Sequence, residues 1–483
     1  MQRKFITNLG FLLLVNILIK PFWLFGIDRA VQNATGAEAY GHYYALFNFS
    51  LLLNILLDLG ITNFNNRNIS MNRQLLQKHM SGIILLRLIL AVFYTCISMI
   101  AAFLIGYRAD EVSMLLILLL NQVLISGILY LRSNLAGLHM FKMDSIISVL
   151  DRATMILICG WLLWGRDGRS PFQIEWFVWA QTASYVITLF VILMMLSTKT
   201  RFYKVVWNKA FSLMILRKSY PFAILILLMT FYNRVDSVML ERMLDNGDRF
   251  AGIYAQAYRL MEAGNMVAYL FAGLLLPMFA SMIKKKQDTG PLLKTSSSLM
   301  LTPAIGAAIV FLFCSVEIMD ALYKYNARES AQVGIFLMIS FIGMCVSYNF
   351  GALLTANGNL GVLNRMAAGA MMLNVLLNLI LIPKMQAKGA AIASMSTQLI
   401  MAALQIWLST RIFNLHINTK LLLRMSLFTT LSLLAAGFIN QLHFDSNFAL
   451  TKVLVIAFTL ILLALITRAI HLGDIRAILQ QKE

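Results

Sequence analysis

Seven ionisable side chains, Lys20, Asp151, Arg152, Arg234, Asp236, Arg259 and Glu262, stand deep inside long apolar runs. A charge held at membrane depth costs at least about 2.5–3.5 kcal/mol on insertion scales, so each is a functional candidate by default. Four are cations (Lys20, Arg152, Arg234, Arg259) and three are anions. Arginine grips phosphate in a bidentate fork, whereas a buried carboxylate can take up a proton or a sodium ion. The cations therefore suit a phosphate-bearing substrate, and Asp151, Asp236 and Glu262 suit ion coupling. Simpler readings compete. Arg259 and Glu262 are spaced i, i+3 on one helix face, so a local salt bridge could serve only to make insertion tolerable. Arg234 and Asp236 point to different faces, so at least one needs a partner on another helix or water. Lys20 precedes Pro21, which removes a backbone donor and predicts a bend beside the charge, with an ordinary kink and a snorkelling lysine as the alternative. Asp58, Arg87 and Arg424 lie nearer the ends of their runs and read as side chains that reach the interface.

The composition accounts for the rarity of such charges. Apolar residues make up 60% of the 483, charged residues 13%, and the mean hydropathy is +0.76, against about 45–50% apolar and about 25% charged in soluble domains. A water-soluble fold is excluded. The formal net charge of +19 would suggest nucleic acid in a soluble chain, but the basic residues gather in short loops between apolar runs, and no nucleic-acid partner is expected. Cys96, Cys159, Cys314 and Cys345 lie inside apolar runs without Cys-x-x-Cys spacing or a neighbouring histidine. Neither a disulfide framework nor a metal site is predicted. There is no Gly-rich phosphate loop and no catalytic constellation, so the chain reads as a non-enzyme without a cofactor.

About twenty apolar residues cross a hydrocarbon core of about 30 Å as a helix. Such stretches fall near 5–27, 41–63, 82–106, 112–131, 144–165, 174–196, 219–240, 250–281, 296–316, 331–354, 362–383, 388–410, 421–441 and 449–470, about fourteen in all. Runs such as Leu115 to Leu120 lack the alternation of a β-barrel strand. The fold class is all-α, a polytopic integral membrane protein. Alternate loops differ in Lys and Arg: Arg3-Lys4, Arg67 with Arg73 and Lys78, Lys199 to Lys218, Lys284 to Lys286, and the tail with Arg476 and Lys482 all belong to one set. The other set is nearly balanced by acids, which places both termini in the cytoplasm by the positive-inside rule. The long basic loop divides the chain into an amino-terminal six-helix lobe (1–197), a basic cytoplasmic linker (198–218), a second six-helix lobe (219–411) and two extra helices with a cytoplasmic tail (412–483). Gly41-His42-Tyr43-Tyr44-Ala45 is echoed by Gly252-Ile253-Tyr254-Ala255, a weak sign of two parallel pseudo-symmetric bundles with substrate between them.

Several blocks carry a family resemblance. Tyr40-Gly41-His42-Tyr43-Tyr44, Leu57-Asp58-Leu59-Gly60-Ile61 and Arg67-Asn68-Ile69-Ser70 resemble the amino-terminal signature of bacterial polysaccharide transporters, the Wzx-type O-antigen flippases. Asp236 to Leu240, Gly252-Ile253-Tyr254 with Tyr258-Arg259-Leu260, and Leu276-Pro277 look like the corresponding pattern in the second half. So do Asn374 to Asn378, Ile382-Pro383 and Gly389 to Ala393. The resemblance spans nearly the whole chain and implies the multidrug/oligosaccharidyl-lipid/polysaccharide exporter fold, in which two lobes surround a cavity lined by the first, second, seventh and eighth helices. Lys20, Arg234, Asp236, Arg259 and Glu262 fall on those helices; Asp151 and Arg152 do not.

The function this implies is translocation of an undecaprenyl-pyrophosphate-linked oligosaccharide, the repeat unit of an O-antigen of lipopolysaccharide, a capsule or an exopolysaccharide. The substrate would cross from the cytoplasmic to the periplasmic leaflet of the bacterial inner membrane by ion-coupled alternating access. Lys20, Arg152, Arg234 and Arg259 would bind substrate, and Asp151, Asp236 and Glu262 would couple a proton or sodium ion. The implied partners are the lipid-linked oligosaccharide, the coupling ion, membrane lipids and the polysaccharide polymerase machinery. A multidrug/cation antiporter and a peptidoglycan-lipid flippase of the same superfamily are the alternatives. A membrane-embedded glycosyltransferase or polymerase is disfavoured by the short outer loops.

Overall fold

The computed structural model describes residues 16, 18–62, 74–137, 140–165, 171–197, 209–414, 419–442 and 449–470. Arg3-Lys4 and most of the first expected span, the Arg67–Ser70 block, residues 198–208 of the basic linker, and the tail with Arg476 and Lys482 lie outside the described residues. Among the described residues the regular structure is helical throughout. A π-helical segment Trp23–Asp28 leads into α1 (Arg29–Leu52) and a 3₁₀ turn at Asn54–Leu57. There follow α2 (Gln74–Ile105), α3 (Ala109–Gly137), α4 (Phe141–Trp164), α5 (Ile174–Ser197), α6 (Lys209–Met243), α7 (Gly247–Lys284), α8 (Gly290–Leu322), α9 (Ala327–Ala356), α10 (Leu360–Phe413), α11 (Thr419–Gln441) and α12 (Ala449–Ile466).

Ten of these helices are long and apolar enough to cross a membrane, and α12 supplies a shorter apolar stretch, Leu450–Ile466. Large apolar side chains such as Phe103, Leu104, Leu157, Trp161, Leu423 and Phe458 point outward. In water that would be untenable; in lipid it is the expected finish. The chain is a multi-pass membrane protein. The spans expected at 362–383 and 388–410 both lie in α10, which is two helices broken at Gln386 (φ 52°, ψ −134°). Pro383 removes the backbone donor just before the break. A Cβ on Gly389 would collide with the Leu381 carbonyl, so the return of the chain needs glycine there.

Near the amino terminus the structure differs from the expected spans. The stretch 29–40, expected as a loop, is helical apart from a break at Gly36 (φ 82°, ψ 171°), backbone angles open to glycine and few other residues. The span expected to reach residue 63 stops at Leu52. Beyond the 3₁₀ turn, Leu59 and Gly60 take positive φ, and the Asp58 carboxylate accepts the Thr62 N–H (3.1 Å) and the Thr62 hydroxyl. A short acidic side chain that captures nearby donors in this way competes with the helix ladder. Two residues after Pro21, the irregularity expected beside Lys20 takes the form of the π-helical turn.

The chain packs as two units, Met1–Arg242 and Met243–Glu483. In the first, α3 packs against α1, α4 and α5, around Ile61, Ile83, Tyr130, Leu131, Ile147 and Ile192. An aromatic layer joins the π-helical turn to α1 and α5: the rings of Trp23 and Phe177 stack at 5.8 Å, and Tyr43 meets Phe177 edge-on at 5.3 Å. In the second, α9 is central and packs on α7, α8 and α10. A Cβ on Gly343 would lie 2.9 Å from the Gln398 backbone, the close approach that small residues permit between helices in lipid. Helices α11 and α12 pack on α8 around Ile309, Cys314, Ala436, Ile456 and Leu460.

Candidate functional site

Three candidate residues of the first unit, Lys20, Asp151 and Arg152, draw together around α4. Lys20 lies within the electrostatic reach of Arg152, Asp151 and Arg132. Asp151 Oδ2 is 3.6 Å from Arg152 Nε, with both side chains part-exposed (22% and 29%), so this pair can be approached from outside the packed core. The Arg152 guanidinium sits 5.3 Å from the Trp23 ring centroid. One turn before Lys20, Asn16 donates to the Ser148 hydroxyl (3.1 Å), which fixes the first helix alongside α4. Arg132 is paired with Asp144 (2.8 Å). Thus Asp151 and Arg152, which do not fall on the helices the resemblance implies as cavity-lining, form one group with Lys20.

The other candidates occupy separate places. On α6, Arg234 Nη1 donates to Asn48 Oδ1 on α1 (3.3 Å) and Asp236 is buried; Asn48 is thus one partner of Arg234 on another helix. In the second unit, Arg259 Nη1 lies 2.6 Å from Glu262 Oε2, with side chains 11% and 15% exposed. The local i, i+3 bridge anticipated from spacing is present.

Three features of the first unit were missed in the sequence. Asp28 is fully buried and accepts hydrogen bonds from Tyr40 Oη (2.9 and 3.0 Å) and Gln32 Nε2 (3.0 Å). Its signal was available, because Arg29 to Tyr40 is rich in helix formers, but the first span was closed at Ile27. Asp58 and Arg87, read as snorkelling, instead pair with each other at 2.6 Å. Arg87 also donates to the Ser126 carbonyl (2.8 Å) and hydroxyl (2.5 Å) and lies over the Tyr130 ring. It borders a cavity of about 300 Å³ lined chiefly by Leu57, Ile84, Leu88, Leu124, Leu189 and Leu193.

The third is a cluster at the end of the first unit that carries the α2–α3 turn. His42 Nδ1 is 3.4 Å from Glu241 Oε1. Arg242 Nη2 bridges Glu111 (2.5 Å) and Glu241 (3.0 Å) and the guanidinium stacks 3.9 Å from the Tyr107 ring centroid. Tyr107 Oη donates to Glu241 Oε2 (2.9 Å). Burial, reinforced by the Glu241 carboxylate, pushes the Tyr107 phenol above its ordinary value, so it stays a donor. His42, Glu111 and Glu241 are of metal-ligating type and mutually close, yet the guanidinium already occupies the space between the carboxylates.

The second unit holds an apolar cavity of about 460 Å³, formed where α11 and α12 lie against α8 and α9, with Pro303, Phe311, Met338, Phe428, Leu460 and Ile461 in its walls. It has the size and character to hold part of a hydrocarbon chain.

The fold is shared with known transporters. A lipid II flippase, MurJ, in an inward closed conformation superposes with a TM-score of 0.73, covering 96% of this chain and 99% of its own at 16% identity. An inward-facing multidrug resistance transporter of the MATE family superposes at 0.62, covering 81% and 94% at 14% identity. A Vibrio cholerae MATE transporter, VcmN, in the bent form superposes at 0.56, covering 85% and 95% at 12% identity. These likenesses concern the fold. No curated protein sequence matches the chain significantly. The sequence pattern of the polysaccharide biosynthesis protein family matches residues 6–283, more than half of the chain, and the chain belongs to that family.

Proposed function

We propose that the protein is a flippase that moves an undecaprenyl-pyrophosphate-linked oligosaccharide from the cytoplasmic to the periplasmic leaflet of a bacterial inner membrane. The observation that carries this reading is the Lys20–Asp151–Arg152 group, an approachable cluster with cations in excess on membrane-embedded helices. Two cations beside one carboxylate suit a pyrophosphate, which needs dispersed positive charge. The apolar cavity under α11 and α12 supports the same reading, since it offers a place for isoprenoid units. Lys20, Arg152, Arg234 and Arg259 are assigned to substrate, and Asp151, Asp236 and Glu262 to a coupling proton or sodium ion. The chain is organised as lobes 1–197 and 219–411, the linker 198–218 and two further spans, with both termini cytoplasmic. No covalent step is involved: each lobe arrangement must bind the substrate, and the ion biases one of them.

A second reading is favoured by the likeness to MurJ over almost the full length of both chains, namely a peptidoglycan-lipid flippase. One experiment separates them. In cells lacking this chain, lipid-linked glycan is assayed by leaflet. Precursor of a surface polysaccharide trapped on the cytoplasmic side, restored by wild type and not by Lys20→Ala or Arg152→Ala, supports the first reading. Trapped peptidoglycan precursor supports the second, and normal levels of both refute a flippase.

A further inference from the structure

Helix α6 is tied to α1 and α3 by the cluster of His42, Tyr107, Glu111, Glu241 and Arg242. We propose that this cluster is a proton-operated latch, in which protonation of His42 tightens the hold of α6 on α1 and α3 and its deprotonation loosens it. The inference rests on the flippase reading only for its biological purpose and for its orientation, which puts the latch on the periplasmic side.

The charge count gives the direction. Glu111, Glu241 and Arg242 sum to one excess negative charge, and all three are largely shielded from solvent (side chains 14%, 2% and 21% exposed). Arg242 is shared between two carboxylates and can neutralise one of them. The remaining charge is best compensated by a cation at His42, whose Nδ1 already faces Glu241 at 3.4 Å and whose side chain retains 23% exposure for proton exchange. Glu241 from α6 pairs with this imidazole and Glu111 from α3 lies close to it, while Arg242 from α6 and Tyr107 from the α2–α3 turn contact those carboxylates; the Arg108 amide adds to the cluster by donating to Glu111 Oε2 (2.6 Å). Histidine ordinarily titrates near about 6.5. Because the latched state favours the charged imidazole, the latch is strongest below that range and weakens as pH rises through it. Arg234 donating to Asn48 is a second tie between α6 and α1 and does not titrate, so loosening the latch releases one end of α6.

The test needs no substrate. Nitroxides are placed at Glu175→Cys on α5 and Met239→Cys on α6, in a Cys96→Ser background, and the purified full chain is studied in lipid nanodiscs by pulsed electron resonance. The short-distance population is expected to grow as pH falls from 8 to 5.5, by at most about tenfold per pH unit for one proton. His42→Gln keeps a hydrogen-bonding group and should flatten this dependence while leaving a folded protein. Glu241→Gln should reduce the short population at every pH; if that variant does not fold, the His42→Gln comparison decides. A flat wild-type profile, or a slope unchanged in His42→Gln, overturns the proposal. So does a slope abolished by a chelator, which would assign the cluster to a metal ion. A His42-dependent slope in a protein that moves no lipid-linked glycan would keep the latch and sink the flippase reading, and transport without the slope would do the reverse.

Discussion

Removing Arg259 distinguishes a binding residue from a charge that merely makes its helix insertable. The Arg259–Glu262 pair is 2.6 Å apart and largely buried. At an effective dielectric of about 20 the gross attraction is about 6 kcal/mol, most of it offset by desolvation of both groups. Arg259→Met removes the attraction and leaves Glu262 charged and shielded, a loss of about 3–5 kcal/mol for a broken buried pair. The double variant Arg259→Met/Glu262→Gln leaves no charge behind and should recover most of that loss. The readouts are thermal unfolding of the purified protein in detergent and flipping of lipid-linked glycan in cells. The expected pattern is a single variant with sharply lowered Tm, a double variant near wild-type Tm, and no flipping by either. Equal unfolding of single and double variants would refute the electrostatic argument. Normal flipping by the double variant would remove Arg259 from the substrate site and leave the pair a purely structural role.

Arg87→Met should lower stability by about 3–5 kcal/mol, because it strands Asp58; Arg87→Met/Asp58→Leu should restore much of it, and a thermal-unfolding series checks both. Gly343→Ala pushes α9 away from the Gln398 backbone and should cost about 1–3 kcal/mol as an overpacked contact, read as a drop in Tm, whereas Gly306→Ala, which meets no neighbouring atom within 4 Å, should change little. Ala457→Phe fills the cavity beneath α11 and α12 and should slow flipping of substrates with a full-length isoprenoid more than of short-chain analogues, with Tm held or raised.

The membrane class and most helices were legible because twenty-residue apolar runs leave few alternatives. The paired spans of α10 could be separated in sequence because Pro383 and Gly389 mark the break. The region from Asp28 to Asp58 was harder: its helices carry tyrosine, asparagine and glutamine that bury by pairing, so hydropathy misplaces both ends of α1. Spacing within one helix found the Arg259–Glu262 bridge. Contacts between helices stayed hidden, which is why Asp58–Arg87 looked like two snorkelling residues and why His42, placed at the start of the second span, was not joined to Glu241. Lys20 and Asp151 are more than a hundred residues apart, and nothing in linear order joins them. Packing of the first helix on α4 does.

The central claim is that cations of the Lys20–Asp151–Arg152 group carry a lipid-linked pyrophosphate across the bilayer. Its most direct test is leaflet exchange of a fluorescent undecaprenyl-pyrophosphate oligosaccharide in proteoliposomes containing purified protein, compared with Lys20→Ala/Arg152→Ala of matched Tm. The account predicts exchange by the wild type, inhibition by unlabelled lipid-linked pyrophosphate, and loss of exchange in the double variant. Equal exchange by both proteins, or none above protein-free liposomes under any ion gradient, would contradict it.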